Sequence, residues 1–196
     1  MTAQRTDSII YIEEYYTSPN FNRISIDLKK FGLRYYEKTT AGGEFNQTFE
    51  IKNNRLKLKT IEAVDLDLVE KGIKNYIPKK IFGVLPKVEI NLMSDLKYEN
   101  IDKEILFSGK LIIMNDFIDE LYIHSGFHQT WKFKNVRELS FKDGILKDDK
   151  DQSERNLLIR ERKVIEELYR LSLKGETNTK YLSYYENFIK KDSFSF

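Results

Sequence analysis

The stretch FNQTFEIKNNRLKLK, Phe45 to Lys59, decides the fold class. Phe45, Gln47, Phe49 and Ile51 alternate with Thr48, Glu50 and Lys52, the period of a strand with one buried face. Asn53-Asn54 then interrupts, and Leu56 and Leu58 alternate with Arg55, Lys57 and Lys59. Two alternating runs about a short Asn-rich break spell a β-hairpin, because Asn tolerates the left-handed backbone of a tight turn.

Upstream, Ser8–Tyr16 is rich in Ile and Tyr, and Arg23–Leu28 places Ile24, Ile26 and Leu28 on one side. Phe31-Gly32 and Ala41-Gly42-Gly43 are turn signals around a Tyr-rich run at Leu33–Lys38. The first 60 residues therefore read as an antiparallel meander. After Thr60, a candidate N-cap, the period lengthens. Leu66, Val69, Ile73 and Tyr76 or Ile77 predict a helix that ends before Pro78, with acidic residues in its first turns. Extended segments resume at Val88–Met93, Glu104–Met114, Phe117–His124, Phe127–Asn135 and Arg137–Phe141. A helix from Ser153 or Asp151 to about Lys174 carries Leu157, Leu158, Val164, Ile165, Leu168, Tyr169 and Leu171 as its apolar stripe. Gly175 ends it, and a second helix starts near Thr179. The fold class is thus α+β: antiparallel β-meanders followed by a C-terminal helical hairpin.

The opening stretch has an echo. Phe45–Arg55 aligns with Phe127–Arg137, FNQTFEIKNNR over FHQTWKFKNVR, identical at six of eleven positions. The chain reads as one domain, 1–196, and the echo suggests two meander-plus-helix halves, 9–77 and 86–174, with the last helix and tail at 179–196. Two unrelated amphipathic strands of like composition are the other explanation. In either case Phe127, Gln129, Trp131 and Phe133 share a face expected to be core, and Lys132 and Lys134 lie on the outer one.

Composition narrows function. Lys plus Arg is 33 against 31 Asp plus Glu, a net charge of +2, well short of the basic excess usual where phosphate backbones are bound. Cys is absent, so disulfides, thiolate metal sites and a Cys nucleophile are excluded. That absence, with a polar N-terminus and no apolar run of membrane-spanning length, gives a cytoplasmic expectation.

Four constellations could carry chemistry. His124 and His128 flank Ser125-Gly126-Phe127 and, with Lys132, form the acid–base set of a metal-independent ribonuclease if that segment is a hairpin tip. Asp27, Glu50 and Lys52 match a loose nuclease pattern that charged strands produce by chance. Arg55, Lys57, Lys59, Lys132 and Lys134 make a basic strand face able to hold RNA or DNA, or simply to keep an edge strand soluble. The pairs Tyr15-Tyr16, Tyr35-Tyr36 and Tyr184-Tyr185 cannot bury both members, so some of these rings are interface candidates. Phosphate-cradling loops and hydrolase signatures are absent, and no cofactor or metal is assigned. The expectation is a non-enzymatic protein-binding module, an immunity- or inhibitor-type protein that blocks a toxin or defence effector. Its partner is another protein or a second copy of the chain, with no membrane. The alternative is an RNA- or DNA-binding protein or ribonuclease using the histidines and the basic face.

Overall fold

The computed structural model describes residues 7–19, 23–35, 45–88, 96–122 and 128–190. The chain forms two compact units interleaved in sequence. The first comprises Met1–Leu111 and Leu139–Asp148, the second Ile112–Glu138 and Asp149–Phe196.

In the first unit, β1 (Ser8–Tyr11) and β2 (Glu14–Tyr16) form a hairpin, not one strand. Its two turn residues, Ile12 and Glu13, have φ of 51° and 63°. β3 (Phe45–Lys52) pairs antiparallel with β4 (Arg55–Ala63) through Asn53 and Asn54, at φ of 50° and 58°. β1 lies parallel to β3, with Ile9 opposite Phe49, so the sheet is mixed and not purely antiparallel. Ile9, Phe49, Leu56, Leu58 and Ile61 are buried and form the centre of the core.

Arg23–Leu28 is not a strand. The buried Gln47 side chain takes the place of a neighbouring strand: its Oε1 accepts from Ile26 N (2.8 Å) and its Nε2 donates to Ile26 O (2.7 Å). Ile24 and Leu28 are still buried. Residues 33–35 are also outside any ladder, and 36–38 lie outside the described residues. Arg34 N donates to Asp65 Oδ1 and its carbonyl accepts from Leu66 N.

The expected helix is short. Strand β4 carries through Thr60, Asp65 is the N-cap, and α1 spans Leu66–Lys71. Gly72, at φ 69°, ends it, and Ile73–Asn75 is a 3-10 turn. Val69, Ile73 and Ile77 are therefore exposed, whereas Leu68 and Tyr76 are buried. Asp65 is wholly buried and accepts from Tyr76 Oη (2.9 Å) and Lys79 Nζ (3.0 Å).

β5 (Lys87–Val88) pairs with β6 (Leu96–Tyr98). The far edge of β4 takes β6, then β7 (Lys103–Glu104), then Ile145 of a later strand. β8 (Gly109–Phe117), β9 (Phe133–Lys142) and β10 (Ile145–Asp151) are neighbours in the order β8-β9-β10, and each runs from one unit into the other.

The second unit contains the helical pair. Thr130–Lys132 is a 3-10 turn, so the strand expected over Phe127–Asn135 starts only at Phe133. Phe127 lies outside the described residues. Where the first echo segment turns, at Asn53-Asn54, the second runs straight through Asn135-Val136. Asp119–Leu121 is likewise a 3-10 turn, not strand. α2 (Ser153–Ser172) has Asp151 Oδ1 accepting from Ser153 N, and Gly175 follows it at φ 68°. α3 (Thr179–Tyr184), capped by Asn178, continues as a π turn over Tyr185–Ile189. Ile118, Leu121, Trp131, Val164, Tyr181, Tyr184 and Ile189 form the core between these elements. Among the described residues no helix is long and apolar enough to cross a membrane.

Candidate functional site

The buried face of α2 is polar. Asn156, Arg160 and Val164, one turn apart, face inward; of the predicted stripe Val164 is buried and Leu168 packs against the core, whereas Leu157, Leu158, Ile165 and Tyr169 are exposed. Arg160 Nε donates to Trp131 O (2.7 Å) and its Nη2 to Phe133 O. Asn156 Nδ2 donates to Thr130 O (3.1 Å) and Phe133 O (2.9 Å). A 3-10 turn leaves carbonyls without ladder partners, and these two side chains supply the donors. This bolting turns Leu158, Ile165, Tyr169 and Leu173 to the opposite side of α2. They are 64%, 47%, 67% and 71% exposed, at helical spacing along one outward ridge. Arg162, Lys163, Glu166 and Arg170, charged and exposed, flank it.

Beside the ridge, a cleft of about 470 Å³ opens against the 116–120 segment and the C-terminal turn. Leu157, Tyr184, Phe188 and Ile189 give it apolar walls, and Asp116, Asp119, Glu120 and Glu161 line it with carboxylates. Tyr184 and Phe188 stack at 5.0 Å between centroids. Lys134 is held by Asp116 at 3.2 Å.

Lys132 is not on an outer face. It is only 2% exposed, because the 3-10 turn rotates it inward. Its Nζ sits 5.2 Å from the Trp131 ring centroid and 5.7 Å from that of Tyr181, a cation–π arrangement, and has no hydrogen-bond acceptor among the described residues. Burial pushes this amine below the ordinary lysine range, against a smaller opposing pull from Glu167. His128 packs on Phe117 (4.4 Å) and Tyr122 (5.3 Å). Burial, then the Lys132 charge, lower its pKa. His124 lies outside the described residues.

The other basic candidates are ion-paired: Arg55 with Glu104 (3.1 Å), Lys57 with Asp102 (3.0 Å) and Lys59 with Glu50 (3.2 Å). Asp27 is spent on a cap, accepting from Lys29 N and Tyr35 Oη. Of the tyrosines, Tyr15 is exposed. Tyr16 is buried with its hydroxyl on Glu14, and Tyr35 packs edge-on against Phe45. Tyr184 belongs to the core, and Tyr185 is half-buried against it. Tyr36 lies outside the described residues. Sequence reasoning placed Leu158, Ile165 and Tyr169 in the core and did not find the cleft. The signal available was Asn156 and Arg160, two polar residues at helical spacing inside an apolar helix.

Comparison with protein-family models, with curated proteins and with solved structures finds no match to this chain.

Proposed function

We propose that this chain is a non-enzymatic protein-binding module of the immunity or inhibitor type, one that blocks a toxin or defence effector in the cytoplasm. The observation that supports it is the outward ridge of α2: four large apolar side chains, aligned, exposed and edged with charges of both signs. An apolar centre within a charged rim is the composition of a protein interface, in which a few large anchors supply most of the affinity. The occupant we assign is an apolar groove on another protein that receives α2 as an amphipathic helix. Nucleic acid gains less support, since four of the five basic candidates are already paired with carboxylates and the fifth, Lys132, is buried.

The test is affinity capture with the whole chain and with a Leu158→Glu/Tyr169→Glu variant whose circular dichroism is unchanged. One stoichiometric partner held by the wild type and lost by the variant supports the reading. Retention of that partner by the variant overturns the ridge as its contact, and a wild type that captures no stoichiometric partner overturns protein binding. So does a wild-type chain that dimerises by light scattering through these residues, or one that cleaves RNA in a manner abolished by His128→Ala.

A further inference from the structure

We infer that the cleft beside α2 receives an arginine side chain presented by the partner protein. This rests on the protein-binding reading and names what enters the site next to the ridge.

The volume, about 470 Å³, falls in the ~300–1,000 Å³ range of sites that enclose a small group. The walls dictate chemistry in two layers. Leu157 and the half-exposed ring of Phe188 offer apolar surface suited to an aliphatic stem. Asp119, Glu120 and Glu161 add three carboxylates with no ion-pair or hydrogen-bond partner among the described residues. Of the two lining cations, Lys134 is occupied by Asp116, and Arg160 is buried with its donors turned to the Trp131 and Phe133 carbonyls. The lining residues sum to four negative and two positive charges, and the unengaged ones are all negative.

A cation on an apolar stem satisfies both layers. Arginine fits better than lysine: its planar fork matches carboxylates, and its flat face can lie on the Phe188 ring. A free carboxylate would meet three like charges and gain only from Arg160, two of whose five N–H groups already serve the Trp131 and Phe133 carbonyls.

The probe is butylguanidinium, with pentanoate as the anionic counterpart of equal stem, titrated into the full chain and followed by NMR. Saturable shifts at Leu157 and Phe188 are expected, with butylguanidinium binding about tenfold or more tighter than pentanoate. An Asp119→Asn/Glu161→Gln variant should lose about tenfold, and raising salt from about 0.05 to 0.5 M should weaken binding further. Tighter binding of pentanoate would show that Arg160 makes this an anion site. An absence of saturable shifts, or an affinity unchanged in the variant, would remove the inference. Loss of the captured partner in the ridge variant, with butylguanidinium still unbound by wild type, would sink this inference and leave protein binding standing. A wild type that binds butylguanidinium but captures no stoichiometric partner would sink protein binding instead.

Discussion

The polar bolt between α2 and the 3-10 turn makes a quantitative prediction. Arg160→Met keeps an unbranched apolar stem and removes two charge-assisted hydrogen bonds, to Trp131 O and Phe133 O. Such bonds contribute ~1.5–3 kcal/mol each, but relief of a buried charge offsets part of this, leaving a net loss of about 2 kcal/mol. Asn156→Ala removes two neutral bonds at a net ~0.5–1.5 kcal/mol each. Thr130 O keeps its bond from Phe133 N, so this single change strands no carbonyl. In either single variant Phe133 O retains one side-chain donor; in the double variant it loses both. A buried carbonyl stripped of these donors costs a further ~1–3 kcal/mol, so the double variant should be less stable than the summed singles by about 1 kcal/mol or more. Urea unfolding followed by the fluorescence of Trp131, the sole tryptophan, reports on this unit directly. Additive losses, or a double variant more stable than the sum, would refute the shared-acceptor argument.

Three further outcomes are expected. Burial pushes the Asp7 carboxyl from 3.8 up to about 6, against the hydrogen bond it accepts from Gln47 N. Between those values the folded state binds more protons than the unfolded one. Stability should therefore fall by about 2 kcal/mol as pH rises from 4 to 6, and Asp7→Asn should flatten that slope in pH-dependent urea melts. The depressed Lys132 amine has the opposite sign. Here the unfolded state binds more protons in the window between the folded and ordinary lysine values. Wild type should thus gain on Lys132→Met as pH is raised toward about 10, in paired melts. Gly144→Ala would place its Cβ 2.4 Å from the Ile105 carbonyl oxygen at φ 76°, and thermal melts should show a loss of about 2 kcal/mol or more.

What the sequence revealed was local. Asn53-Asn54 is a turn because its backbone needs positive φ, and residue type alone signals that. Gly175 ends α2 for the same reason, at φ 68°, whereas Asn178 caps α3 through its side chain, which accepts from Lys180 N and Tyr181 N. The misreadings all depend on distant partners. Ile24, Ile26 and Leu28 alternate like a strand, but the Gln47 amide, 21 residues from Ile26, supplies the hydrogen bonds a strand would have. The parallel pairing of β1 with β3 leaves no local mark. The candidate site was hidden by an inversion: Leu158, Ile165 and Tyr169 follow a core stripe in every respect, and only the carbonyls of residues 130–133, satisfied by Asn156 and Arg160, turn that stripe outward. Lys132 likewise looked like an outer-face lysine until a 3-10 turn replaced the strand beneath it.

The interleaving of the two units bears on synthesis. Emergence from the ribosome is sequential, yet the first unit includes Leu139–Asp148, which are made only after all of Ile112–Glu138. The first unit lacks its full complement of residues until residue 148 has left the exit tunnel, so the nascent chain cannot complete it before Ile112–Glu138 of the second has been made. A stop codon placed after residue 111 would release an N-terminal fragment lacking the strand end that covers Arg55 of β4, a species for chaperones and proteases to find.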